Sequence, residues 1–313
     1  MTVPADPLSE SSRTIPAPDA YVVGSDVPFK AVMFIISATY VLLLVGMLLA
    51  DVLYLSTSTG ADQSSLPGSM WLHHAFLDHF GLEWLKPVVR PFTTILAALS
   101  TEEIQYSVKL TLLSCFMTAI LSLLVAVPIG YLLSRTEFRS KALVDAMLDI
   151  PIVLPPLIIG LSLLILFKFW PMSEMRHLVV YKIPAVIVAQ FMVSAAFAIR
   201  VMRSTFDSIH PRIEQVALTL GCTQSQAFGM VVLPQAGQGM VTAGTLAWAR
   251  AMGEFGPLLI FAGATRMKTE VLSTTVFLEL SIGNLEAAVA VSLIMVFAAV
   301  MVMVVLRTVF VRR

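Results

Sequence analysis

The chain has 313 residues, 58% of them hydrophobic and 13% charged, and its formal net charge is zero. Soluble domains carry nearer a quarter charged residues, so the composition excludes an ordinary soluble domain and points to an integral membrane protein. A neutral chain without a basic block offers no footing for nucleic acid. Its cysteines, Cys115 in an apolar run and Cys222 in a polar one, lie in settings too different for a disulfide and lack metal-ligand neighbours.

In chain order, residues 1–27 hold Pro4, Pro7, Pro16 and Pro18 among scattered Ser and Asp, without periodicity, and read as a disordered tail. Residues 28–55 form the first expected transmembrane helix, around the apolar run Ala31–Ala50, long enough for one crossing at about 20 residues. Residues 56–103 are polar. Ser56–Ser69 is loop-like, and Trp71, Phe76, Phe80, Trp84 and Phe92 are interleaved with charges, a pattern of short helices at a membrane interface. His74 and Asp78, flanked by His73 and His79, share a helix face, but no second cluster completes a metal site. A plain interfacial helix is the preferred reading, and no metal is expected.

The further apolar runs are Tyr106–Leu133, Ile150–Phe167, Ile183–Ile199, Met240–Ala262 and Leu285–Leu306. With the first, they predict an all-α integral membrane fold of six transmembrane helices. The Ile150–Phe167 run carries Pro151, Pro155 and Pro156, expected to break or bend its helix near the start. The Met240–Ala262 run carries Gly253, Gly256 and Pro257 together with Arg250 and Glu254. Interrupted helices are tolerated in a membrane where they face other helices or a wet cavity.

Between two of these runs lies a polar segment, residues 205–235. Ile213, Val216, Ala217 and Leu220 fall on one helical face. Gly221 is expected to stop that helix, Thr223 or Ser225 to cap a second, and Leu233-Pro234 to close it. A solvated loop does not need an amphipathic helix, a glycine break and a second short helix, whereas a docking surface does.

Arg250 and Glu254 each cost roughly 2.5–3.5 kcal/mol at a membrane helix centre, so they must face inward or pair. Their i, i+4 spacing permits pairing. The choice stands between an anion path or gate with Arg250 as its positive element and a self-neutralising pair that fixes packing. No G-x-x-x-x-G-K-[ST] occurs in the sequence, so the chain has no P-loop for a nucleotide. No Ser/His/Asp or Cys/His set implies nucleophilic catalysis, and the chain is not expected to be an enzyme. Basic residues in the short Ser134–Ala142 loop and at the carboxyl terminus favour cytosolic placement of both termini and of residues 205–235.

Gln215-Val216-Ala217, three residues, Gly221, nine residues and then Val231-Val232-Leu233-Pro234 resemble the signature loop of ABC importer permeases. That loop reads Glu-Ala-Ala, three residues, Gly, nine residues, Ile-x-Leu-Pro. Gln215 and Val216 depart from it, and Glu214 carries the acid one place early. Trp248 through Gly256, Phe261-Ala262-Gly263, Asn284 through Ala288, and Asp149-Ile150-Pro151 with Leu154-Pro155-Pro156 look like the molybdate- and sulfate-type permeases. The likeness covers residues 104–308.

The resemblance implies a type I ABC importer permease-like fold for 104–308, with Glu214, Gln215, Val216, Ala217, Gly221, Val231, Leu233 and Pro234 in ATPase coupling. It implies Arg250, Gly253, Glu254 and Gly256 at the path or gate. The partners would be an ABC ATPase subunit holding ATP and magnesium, an extracytoplasmic solute-binding protein, and a second permease subunit, a homodimer favoured over a heterodimer. The membrane would be the inner one. The cargo would be a tetrahedral oxyanion, molybdate first, sulfate or tungstate next. Alternatives are a different small solute, an ion-coupled secondary transporter, for which Glu254 is the one intramembrane candidate, and a non-transporting scaffold.

Overall fold

A computed structural model describes residues 27–57, 94–96 and 98–310. The expected tail, most of the expected interfacial segment and the His73, His74, Asp78 and His79 group lie outside the described residues. Among the described residues every element is helical. In order these are α1 Val27–Thr57, α2 Glu102–Arg135, α3 Lys141–Val153, α4 Pro156–Leu166, α5 Met172–Val179 and α6 Ile183–Ser208. They are followed by α7 Pro211–Thr219, α8 Gln224–Ala227, α9 Gly237–Met252, α10 Leu272–Ser281 and α11 Leu285–Phe310. Two π turns, Phe228–Val232 and Leu258–Ala262, and a single helical turn Leu233–Gln235 complete the set.

The described residues divide into two units, one ending at Ala50 and the other beginning at Asp51. The first contains most of α1, whose exposed side chains are almost all apolar, as a lipid-facing helix requires.

In the second unit, α2 and α6 form the central pair, with α9 packed on both. Small residues let these helices close. Ala185, Ala189 and Ala198 on α6 are fully buried, and a Cβ on Gly130 of α2 would stand 2.9 Å from the Arg203 amide nitrogen of α6. A ladder of buried hydroxyls runs down α2 through Ser107, Thr111, Ser114, Thr118 and Ser122. The Thr118 hydroxyl donates to Gln190 Oε1 at 3.2 Å and the Gln190 amide donates to the Ala251 carbonyl at 3.2 Å, tying α2, α6 and α9 together. At the other end, Thr111 accepts from the Leu272 amide at 2.9 Å. Such interhelical bonds contribute about 0.6 kcal/mol each on average in a membrane.

Among the described residues four helices are long and apolar enough to cross a bilayer, within Ala31–Ser56, Glu102–Arg135, Ile183–Ser208 and Leu285–Val305. The α3–α4 pair could form one further, broken span, bent by 110°. The break falls at Leu154-Pro155, whose φ and ψ are extended, with Pro156 opening α4. Pro151 departs from expectation, lying inside α3, where its missing N–H interrupts the ladder without ending it. The Met240–Ala262 run is also discontinuous. α9 has 16 residues, about 24 Å at the helical rise and short of a roughly 30 Å hydrocarbon core. After a turn at Gly253 the chain resumes as the Leu258–Ala262 π turn.

Candidate functional site

The polar segment begins where α6 ends. His210 caps α7 by accepting the Arg212 amide on Nδ1 at 3.1 Å, with Pro211 at the first helical position. At its far end the Cys222 amide reaches the Ala217 carbonyl at 3.2 Å and the Gly221 amide the Leu218 carbonyl at 3.0 Å. This is a Schellman termination, which requires Gly221 at its φ of +91°. Thr223, rather than Ser225, then caps α8 reciprocally with Gln226, at 3.3 and 2.9 Å.

Pro234 does not close the second helix. The winding continues through Leu233–Gln235, after a π turn in which the Leu233 amide bonds the Phe228 carbonyl. Pro234 thus falls where the hydrogen-bond ladder is already shifted.

The apolar face read from the sequence splits in two. Ala217 turns inward beside Glu214, both buried, whereas Ile213 is 39%, Val216 57% and Leu220 80% exposed. Met230, beyond Gly221, is 72% exposed. Gln215, Gly221 and Pro234 are exposed, and Val231 and Leu233 half-buried. Among the described residues nothing covers these apolar side chains of the helix pair.

Glu214 faces the spans. Its carboxylate accepts a hydrogen bond from the Tyr131 hydroxyl and stands 3.4 Å from Arg135 Nε. Arg135 also donates to the Ile209 carbonyl at 2.9 Å. The Tyr131 ring sits edge-on to Phe206, with centroids 5.7 Å apart, and 4.5 Å from Phe228 of the π turn. Sequence reasoning missed Tyr131 and Arg135. They lie a whole span away from Glu214, and no local pattern pairs them with it.

A second cluster surrounds the breaks. Arg250 Nη1 lies 2.6 Å from Glu254 Oε1, the Glu254 side chain being 1% exposed. The guanidinium also lies 5.5 Å from the centre of the Phe197 ring, a cation–π arrangement. Ser273 holds the Glu254 carbonyl at 2.7 Å. Gly256 is buried against the start of α4, where its Cβ would stand 3.0 Å from the Leu157 nitrogen, and Gly253 is exposed with no such contact. The structure thus brings Gly256 against Pro156 and Leu157, while Glu254 is held by Arg250 and Ser273.

Farther along α6 and α9, a cavity of about 500 Å³ is lined by Arg200, Ser204, Thr205, Gln235, Gln238 and Thr242 among others. Arg200 reaches out of it to Asp149 at 2.7 Å.

The opposite end carries charges that the sequence did not single out. Arg266 pairs with Glu103 and, at 2.7 Å, with Glu279, which Asn284 also holds at 3.1 Å. Glu270 is buried beside them. Burial pushes its carboxyl above the usual carboxylate range, against the opposing pull of Arg266.

Comparison with known proteins adds the following. Residues 126–313 match the family model described as "Binding-protein-dependent transport system inner membrane component". The chain is 32% identical over 199 residues to the sulfate transport system permease protein CysT of Escherichia coli K12, covering 62% of this chain and 72% of the relative. It is 38% identical over 152 residues to the molybdate/tungstate transport system permease protein WtpB of Pyrococcus abyssi, covering 49% of this chain and 58% of that one. To the molybdenum transport system permease protein ModB of Azotobacter vinelandii it is 30% identical over 177 residues, covering 55% and 78%. A solved bacterial ABC transporter involved in import of the acidic polysaccharide alginate has a chain of similar fold. The TM-score is 0.56 at 18% identity, over 93% of this chain and 99% of that one.

Proposed function

The chain belongs to the family of binding-protein-dependent transport system inner membrane components, and on that premise we propose that it is the permease subunit of an ATP-driven importer of a tetrahedral oxyanion. Molybdate is the first candidate, sulfate or tungstate the next, a choice supported by the transport names of its relatives. The observation that carries the reading is the uncovered apolar face of Ile213, Val216, Leu220 and Met230. An exposed apolar face on a capped helix pair suits a groove in a partner protein. That partner is an ABC ATPase, which binds ATP and magnesium and supplies the energy this chain has no P-loop to harvest.

In this reading both termini and residues 205–235 are cytosolic, and residues 104–308 form the permease domain. A second copy of the chain completes the pathway, and a solute-binding protein delivers cargo from the outer side. ATP-driven closure of the ATPase pair moves α7 and α8 as rigid levers. The spans then alternate between outward- and inward-facing states. Arg250, beside the meeting of the two broken helices, supplies the positive potential along the anion route.

The test is ATP hydrolysis and uptake by the complex reconstituted with its ATPase and binding protein. Molybdate or sulfate should stimulate both. Stimulation by an unrelated solute alone would overturn the cargo. Uptake driven by an ion gradient, with no ATPase recovered, would replace the importer with a secondary transporter.

A further inference from the structure

Glu214 is the one charged residue of α7 that is buried, and its burial has a mechanical meaning. Helix α7 is joined to its neighbours by non-helical backbone at both ends. Ile209 and His210 are extended before it, and Gly221 is left-handed after it. Neither junction carries a helix axis through, so the orientation of α7 against the spans depends on side-chain contacts.

Those contacts converge on α2. Tyr131 and Arg135 lie i, i+4 on its last turns and therefore on one face. Both engage the Glu214 carboxylate, and Arg135 also holds the Ile209 carbonyl at the junction itself. The Tyr131 ring packs on Phe228, in the other half of the segment. One patch of α2 thus grips both arms of the helix pair.

We infer that Glu214 is a positioning residue, which with Tyr131 and Arg135 pins the docking helices to α2, so that α2 carries their displacement toward the Arg250–Glu254 break. From Tyr131 to Thr118 is 13 residues of the helix spanning Glu102–Arg135, about 20 Å at the helical rise. At Thr118 the chain of hydrogen bonds crosses to Gln190 and on to the Ala251 carbonyl, immediately before the break. Pro128 lies within this stretch and removes one backbone donor, yet the helix runs on unbroken. A continuous helix with a polar contact at each end is the physical connection that coupling between distant sites needs. The inference rests on the importer reading. It also separates two roles within the same segment: Ile213, Val216, Leu220 and Met230 face the partner, and Glu214 faces the spans.

The experiment uses the full complex with its ATPase and binding protein, reads ATPase recovered per permease, and measures ATP hydrolysed per molybdate or sulfate imported. Glu214→Ala should retain its ATPase to within about twofold while the ATP consumed per anion rises roughly fivefold or more. Glu214→Gln, which can still accept from Tyr131 but offers Arg135 no charge, should fall between. Tyr131→Phe added to Glu214→Ala should cost little more, because both remove one contact. If Glu214→Ala releases the ATPase, the residue is part of the docking face and the pin is wrong. An unchanged ratio in both Glu214 variants would equally overturn it. Should the wild-type chain retain no ATPase at all, the importer reading fails and the pin falls with it, an outcome the wild-type arm identifies by itself.

Discussion

Gly160 and Pro257 meet backbone to backbone. A Cβ on Gly160 would stand 2.7 Å from the Pro257 Cα and 2.9 Å from its carbonyl oxygen. The contact seats the first turns of α4 against the break that follows α9, and Gly256 makes the reciprocal approach to Leu157. Both broken segments can cross at this distance only because each presents a glycine to the other's backbone, Gly160 on one and Gly256 on the other.

Gly160→Ala should therefore destabilise the protein by about 1–3 kcal/mol, the usual cost of overpacking, because the obstructing atoms are backbone and cannot rotate away. Gly237→Ala is the control, since nothing lies within 4 Å of that position. Thermal midpoints in detergent should fall for the first and hold for the second. Equal midpoints would mean that the crossing is looser than described.

At Arg250 and Glu254 a single and a double substitution separate the path from packing. Arg250→Gln strands a carboxylate whose side chain is 1% exposed, and breaking a buried pair costs roughly 3–5 kcal/mol. Arg250→Gln with Glu254→Gln removes that penalty. If Arg250 supplies potential to the anion route, uptake should fall roughly tenfold in both variants. Recovery of uptake in the double variant would assign the pair to packing alone.

Arg266 bridges Glu103 of α2 and Glu279 of α10. Arg266→Ala leaves the largely buried Glu279 without its cation, for an expected loss of roughly 1–3 kcal/mol. Lysine should recover only part, because a single ammonium does not present the forked donors that reach two carboxylates. Chemical or thermal denaturation in detergent reads both. An alanine variant as stable as the wild type would make the bridge ornamental.

Glu270 predicts a dependence on pH with a definite sign. Its folded pKa is raised above the ordinary 4.5 by burial, so the fold favours the protonated form. That contribution is fully present below the unfolded pKa and is lost as pH rises through the folded one. Glu270→Gln should accordingly be more stable than the wild type at neutral pH, and the difference should vanish at acid pH. A variant less stable than the wild type at neutral pH would show that the charged form is the one held.

The membrane-spanning class and the helix–turn–helix within residues 205–235 were legible because both rest on local patterns. Apolar length marks α1, α2, α6 and α11, and Gly221 with Thr223 marks the turn and cap between α7 and α8. The bend of 110° between α3 and α4 was legible in part. Three prolines announced it, but only packing decides that Leu154-Pro155 opens while Pro151 stays helical. Helices α5 and α10 were not foreseen, being too short and mixed to stand out by hydropathy. Residues separated by whole spans stayed hidden. Glu214 with Tyr131, Arg266 with Glu103, and Gly160 with Pro257 are brought together by the chain's path through the bilayer, which no window of sequence contains.

The central claim is that residues 205–235 dock the ATPase, and Gly221→Val tests it most directly. The glycine sits at a φ of +91° with no atom within 4 Å of a built Cβ, so valine there strains the turn without clashing with the spans. A strain of about 1–3 kcal/mol corresponds to roughly 5- to 150-fold weaker docking. Affinity purification should recover an inserted permease with correspondingly little ATPase, and uptake should fall with it. Gln215→Ala, on the exposed side of α7, should do much less. Recovery of a full complement of ATPase by Gly221→Val, with uptake at the wild-type rate, would contradict the claim.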